Sequence, residues 1–414
     1  MNIVQVPRRF VKSDWGGTET VILETSRRLL GMGYHTEIVC PSALADRDAE
    51  LIGGVRVSRV SYFYPYWGLR DGARRQLDLK GGNLFSFALM KALRRYPALD
   101  LIHLHTAKRT GGIGRHVALK RRIPYVVSLH GGVYDVPAGE ARAWAAPTDG
   151  AFEWGKALGW WVGSRRVLDD AAAILCVGQE ECLQTQRRFP QKRVLHLPNG
   201  VDAERFARGD GPGFRRRRGI PPQARVALTV GRIDPQKNQL FAVRALPELL
   251  AQDPDAHLVL IGHVTNDAYH DQLARAVQDG GMERHVTIIR GLDAASQELV
   301  DAYHAADVFL LPSVHEPFGI VILEAWAAGL PVIASRVGGI PSFVSEGRDG
   351  VLFRPNDEGE FLRAFRGLME NRERMRALAD TGREKARRQY GWDRITGRLA
   401  GIYEEVVREN PVRP

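Results

Sequence analysis

Cysteine is scarce in this 414-residue chain. Its three cysteines, Cys40, Cys176 and Cys182, form no paired framework, which argues against a small secreted fold built on disulfides. The spacing of Cys176 and Cys182 fits no CxxC redox or zinc motif. No apolar run approaches the roughly 18 residues that a membrane-spanning helix needs. The opening Met1-Asn-Ile-Val-Gln-Val-Pro7 lacks the basic start and long apolar core of a signal peptide. The expectation is a cytoplasmic chain, with any work at a membrane done peripherally at its inner face. GxGxxG and GxxxxGK[ST] are also missing, so neither the dinucleotide fingerprint nor the Walker loop is present.

The chain is too long for one ordinary core, so two domains are expected. Hydrophobic residues make up 44% and charged residues 26%, the balance of a globular protein with a water-facing surface. The net charge of +10 is uneven: residues 1–200 hold 29 Lys+Arg against 18 Asp+Glu, and the remainder holds 29 against 30. A basic first half favours an anionic partner, such as a lipid surface or a phosphorylated acceptor, or else reflects plain solubility charge.

Apolar runs and helical stretches alternate almost throughout, the pattern of layered α/β domains with mainly parallel sheets. The first half reads as strands at 2–7, 36–41, 101–105, 124–130, 171–177 and 193–198. The second reads as strands at 225–231, 257–262, 285–290, 307–312, 331–335 and 350–353. Between them, Asn199–Gln223 carries Gly209-Asp-Gly-Pro-Gly213, Arg215–Arg218 and Pro221-Pro222, and reads as linker and charged surface loop. The expected division is 1–198, 199–391 and a helical tail at 392–414.

Ser313–Ser335 is the most informative stretch. Glu316 and Glu324 lie eight residues apart, with Phe318-Gly319-Ile320 at the start of a helix. On a helix that spacing advances about 12 Å and rotates about 80° off one face, too far for a close catalytic pair. Two anchors on one elongated ligand fit better: a hexose at Glu316 and a ribose at Glu324, with exposed amides facing a diphosphate between them. Val230-Gly-Arg-Ile-Asp-Pro-Gln-Lys-Asn238 adds Arg232 and Lys237 at a strand's carboxyl end, two cations suited to phosphate oxygens. Asp14-Trp-Gly-Gly-Thr-Glu19 offers a glycine pair before a helix. Val126-Val-Ser-Leu-His-Gly-Gly132 puts His130 at a strand end, placed to donate to a hydroxyl. His103 and His105 alternate along one strand and, without a third ligand nearby, make a poor metal site.

Together these motifs resemble glycosyltransferase family 4, the retaining group with the GT-B fold, over nearly the full length. The resemblance is strongest across 228–355. It extends to 15–19, 101–105, 127–131 and Pro198-Asn-Gly-Val-Asp202. It implies two Rossmann-like domains facing a cleft, acceptor on the first and donor on the second, with the last helix crossing back to the first. It implies transfer from a UDP- or GDP-sugar, with no required metal or other cofactor. Arg232 and Lys237 would take the diphosphate, Glu316 the sugar hydroxyls and Glu324 the ribose. Phe318, Gly319 and Ile320 would give main-chain contacts. Gly17 would approach the phosphate and His130 the donor sugar, while Gly262 and Leu292 would lie near the base.

The acceptor is less legible. Ser61–Arg70 packs aromatics beside a cation. Trp144, Trp154, Trp160 and Trp161 fall within a short span of the basic half. Such residues suit sugar stacking and membrane interfaces. The expectation is a glycan or lipid-linked acceptor, with an anionic membrane surface as partner. The alternatives are a small soluble sugar or sugar-phosphate acceptor, and a non-catalytic nucleotide-sugar-binding protein. Nucleic acid would explain the charge but not the glutamate motif.

Overall fold

The computed structural model describes residues 1–131 and 146–410. The Trp144 and Gly132 singled out above lie outside the described residues. The chain divides into two compact units, Met1–Pro198 with Asp393–Pro414, and Asn199–Trp392.

The first unit is built on an eight-stranded sheet of order β10-β9-β7-β6-β1-β2-β4-β3. Its central strands are β1 (Asn2–Val6), β6 (Leu101–Leu104), β7 (Tyr125–Leu129) and β9 (Ala173–Cys176), with β10 (Val194–His196) at one edge. All these run parallel, Ile3 opposite Leu101 and Ile102 opposite Tyr125. Their near-continuous burial is what a sheet covered on both faces requires. β2 (His35–Pro41) and β4 (Val55–Val60) continue the parallel order, and only β3 (Ala49–Ile52) is antiparallel. Val4, Val6, Ile102, Leu104, Val127 and Ile174 form the core with Ile113 and Val117 of the helix Arg109–Arg121. The helix Trp392–Glu409 closes this unit, burying Ile395, Leu399, Tyr403 and Val406 at helical spacing. Arg398 donates to the His196 carbonyl at 2.9 Å.

The second unit is a six-stranded, wholly parallel sheet of order β13-β12-β11-β14-β15-β16. The strands are β11 (Arg225–Val230), β12 (Ala256–Ile261), β13 (Val286–Ile289), β14 (Val308–Leu311), β15 (Val332–Ser335) and β16 (Val351–Phe353). Leu258, Leu260, Val308, Leu310 and Ile333 pack against Val243 and Leu246 of the helix Gln239–Leu250. Each sheet is a Rossmann-like α/β layer.

One segment departs from the sequence reading. Residues 199–223 are not a linker and solvated loop. They hold the helices Ala203–Phe206 and Gly211–Arg218. Asp210 caps the second by accepting from Gly213 N at 2.8 Å. Three of its arginines are tied to the same unit: Arg215 to Asp307, Arg217 to Asp301 and Arg218 to Glu298. Capping and ion pairing fix as helix what glycine, proline and a charge run suggest is a turn.

Candidate active site

The second unit's candidate residues gather at the carboxyl edge of its sheet, where loops after β11 and β14 adjoin. The two loops are zipped together. Val314 N donates to the Gln236 carbonyl at 2.9 Å, and Gln236 Nε2 donates to the His315 carbonyl at 3.0 Å. Asn238 turns the β11 loop with a φ of 56°, and its Nδ2 donates to the Pro312 carbonyl at 3.2 Å. This fastening brings Lys237 onto Glu316: the ammonium donates to Oε2 in a pair whose side chains are almost wholly enclosed. Arg232 stays exposed beside them, its Nη2 2.8 Å from Gln236 Oε1 and 3.4 Å from Asp234 Oδ2.

Glu316 is buried because its loop rests on a second glycine pair. Gly339 N donates to the Glu316 carbonyl at 2.9 Å, and a Cβ at Gly338 would sit 2.1 Å from that oxygen. Gly338-Gly339 therefore shapes the site, and its signal in the sequence is a glycine doublet just after β15. Phe318 is buried and stacks on Phe343 at 4.7 Å, leaving its backbone as the part near the site. Gly319, with φ 95°, opens the helix Ile320–Ala328, and no side chain caps that N-terminus. Its first amides are thus oriented for an anion.

Glu324 lies farther along the same helix and has a different partner: Tyr303 Oη donates to its Oε2 at 2.7 Å. Burial pushes Glu324 up, while the Tyr303 hydroxyl and the nearby Arg205 charge pull it down. The two glutamates are held by separate groups, Lys237 for one and Tyr303 for the other. Tyr303 and Arg205 were not singled out from sequence. They come from segments 21 and 119 residues away from Glu324, and nothing local marks them.

Gly262 and Leu292 frame the loops after β12 and β13. Gly262 has a packing reason of its own: a Cβ there would lie 1.8 Å from the Gly231 carbonyl oxygen. Gly291, with φ 92°, leaves room for the His263 ring, whose Nδ1 would be 2.5 Å from a Cβ. Leu292 is half-buried next to them.

In the first unit Gly17 is the exposed first residue of the helix Gly17–Gly31. Glu19, pushed up by burial, accepts from Gly16 N at 3.1 Å. His130 ends β7, and its Nε2 lies 2.9 Å from His105 Nδ1, while His105 Nε2 lies 2.8 Å from Gln5 Oε1. Gln5 Nε2 faces the Tyr403 hydroxyl at 3.4 Å, so Oε1 is the atom turned to His105. The facing nitrogens of His105 and His130 share one hydrogen bond, so one of the two rings donates and the other accepts. Burial holds His103 down at about 3 and His130 down at about 4, and pushes His105 well below the usual imidazole range. His103 is locked between the Tyr403 hydroxyl at 2.5 Å and Ser128 Oγ at 2.7 Å.

Comparison with known proteins gives a consistent picture. Residues 212–385 match the family model for glycosyl transferases group 1, and residues 15–205 that for glycosyltransferase family 4. The D-inositol 3-phosphate glycosyltransferase 2 of Catenulispora acidiphila is 31% identical across 96% of this chain and 91% of its own length. The D-inositol 3-phosphate glycosyltransferase of Corynebacterium glutamicum is 28% identical, covering 96% and 94%. Among solved structures, sucrose-phosphate synthase from Thermosynechococcus elongatus superposes with a TM-score of 0.76 at 22% identity, covering 99% of both chains. Anabaena HepE, solved with UDP, gives 0.72 at 18% identity, covering 98% of this chain and all of the other.

Proposed function

This chain belongs to the group 1, family 4 glycosyltransferases, and from that membership we propose that it moves a hexose-type sugar from a nucleotide diphosphate sugar to a hydroxyl of a small phosphorylated acceptor, with retention. The observation that carries this reading is the enclosed Lys237–Glu316 pair beside the uncapped N-terminus of Ile320–Ala328. In the absence of donor, each partner neutralises the other. A diphosphate that takes over Lys237 releases Glu316 to accept hydrogen bonds from sugar hydroxyls. Arg232, exposed at the same edge, adds a fork for phosphate oxygens. Glu324, oriented by Tyr303, takes the ribose hydroxyls, and the base lies towards His263 and Leu292.

The bond from the sugar's anomeric carbon to phosphate oxygen breaks, and its electron pair leaves with the diphosphate. Lys237, Arg232 and the helix amides stabilise that developing charge. The acceptor oxygen bonds to the same face of the sugar, and its proton passes to the departing phosphate. A ring nitrogen of His130 hydrogen-bonds a hydroxyl of the donor sugar.

The small phosphorylated acceptor is supported by the names of the two D-inositol 3-phosphate relatives and by the basic first half of the chain. A second reading, a lipid-linked acceptor met at an anionic surface, is supported by aromatics of the first unit. Trp160 is 87% exposed, Trp67 66% and Phe152 64%, and Trp67 stacks on Phe152 at 5.6 Å. Among the described residues, no helix is long and apolar enough to cross a membrane. Co-sedimentation with anionic vesicles at low salt separates the two: the small-acceptor reading gives no binding, and the lipid reading gives binding lost on Trp160→Ala with Trp67→Ala.

The donor is identified by incubating the protein alone with a panel of UDP-, GDP- and ADP-sugars and measuring released nucleotide diphosphate. Slow hydrolysis of one donor class is expected. Hydrolysis of none, with none bound in calorimetry, contradicts the proposal.

A further inference from the structure

We propose that Arg8 and Lys108 of the first unit form an anion site that takes the phosphate group of the acceptor. The proposal rests on the transferase reading for the ligand's role. The site itself is argued from charge and geometry.

Arg8 follows β1, and Lys108 follows the adjacent strand β6, directly before the helix Arg109–Arg121. Both therefore lie at the carboxyl edge of the first sheet, the edge that also carries His105 and His130 and at which open α/β sheets bind ligands. One turn draws them together. Arg8 Nη1 donates to the carbonyls of Leu77 at 3.3 Å and Asp78 at 3.0 Å. Lys108 Nζ donates to the Gly81 carbonyl at 3.0 Å. A Cβ on Gly81 would lie 3.8 Å from Arg8 Cζ, so the guanidinium sits against the residue that holds the lysine. These carbonyls end the helix Ala73–Lys80, whose dipole attracts cations.

The carbonyls use only part of what the cations offer. Among the described residues, Arg8 Nε and Nη2 have no protein partner, and Lys108 keeps two of its three protons free. Among the described residues, neither cation has a carboxylate in ion-pair reach. The acids nearby are committed elsewhere: Asp14 to Arg9, Glu19 to Gly16 N, and Asp78 to the hydroxyls of Tyr62 and Tyr64. Burial and then the charge of Arg9 depress Arg8. Two like charges held together repel, and an anion bound between them relieves that repulsion. Lys108 is exposed, so the site is open to solvent. A forked guanidinium beside a point-charge ammonium suits a tetrahedral dianion with several oxygens. The phosphate could come from a soluble phosphomonoester or from a lipid headgroup, and the chemistry is shared.

The test is calorimetric titration of the full chain with inorganic phosphate, and flotation with vesicles of phosphatidylcholine carrying phosphatidic acid. Wild type is compared with Lys108→Met, Arg8→Gln, Lys108→Arg and Lys237→Ala. Lys108→Met and Arg8→Gln are expected to weaken anion binding by about tenfold or more, the equivalent of one charge-assisted hydrogen bond. Lys108→Arg should retain it, and the Lys108-dependent part of the binding should persist in Lys237→Ala, whose own loss is confined to the proposed diphosphate site of the other unit. Lys108-dependent binding of inorganic phosphate assigns a soluble source. Lys108-dependent binding of the vesicles alone assigns a lipid headgroup. Lys108→Met is an exposed substitution whose folding circular dichroism verifies. If it binds both probes as wild type does, or if wild type binds neither, the site is refuted. Donor hydrolysis is measured separately, so a hydrolytic chain without this site refutes the anion site and leaves the transferase reading standing.

Discussion

A single hydroxyl, that of Tyr303, holds the buried carboxyl of Glu324, the proposed ribose anchor. Burial favours the neutral carboxyl, and the Tyr303 O–H offsets that by donating to the ionised form. Tyr303→Phe removes the donor and keeps the ring, which packs on Phe309. The donor KM is expected to rise about tenfold with little change in kcat, since the ribose does not react, and stability should fall by about 1–3 kcal/mol. Steady-state kinetics and urea denaturation check both. A kcat loss without a KM change would place Glu324 at the reacting carbon instead.

At the scale of elements, the strands and the long helices were legible because apolar runs and helical periodicity repeat along the chain. The segment 199–223 was not, because its helix depends on a cap and on acids far away in sequence. Asp210→Ala removes the bond to Gly213 N and is expected to cost about 1 kcal/mol in denaturant unfolding while leaving turnover unchanged. The histidines divide in the same way. His130 at a strand end was visible, but Gln5 and Tyr403 lie 100 and 300 residues from the histidines they hold. His103 and His130 are held below their unfolded value of about 6.5. Their stabilising effect is complete above that value and is lost as pH falls from about 6.5 towards 4 for His130 and towards 3 for His103, because the unfolded chain then binds protons that the fold refuses. Thermal midpoints should fall across that window. A variant with His103→Gln, whose carboxamide can still meet Ser128, should show a shallower fall, and an unchanged slope would contradict the assignment.

Across the whole molecule, the donor motifs fall in the second unit and the positive excess in the first. The residues proposed for the donor stand out in the sequence because they sit in two short stretches, 230–238 and 313–324. What the sequence left open is the fastening between those stretches: the loop bonds through Gln236, Asn238 and Gly338-Gly339 that press Lys237 onto Glu316. The residues proposed for the acceptor, Arg8 and Lys108, follow two different strands, so no single stretch announces them. The central claim is that Lys237 carries charge for the departing diphosphate. It is tested most directly by comparing Lys237→Ala with wild type at saturating nucleotide sugar, with folding verified by circular dichroism. A fall in kcat of about 10²-fold or more is predicted; an unchanged rate would contradict the account.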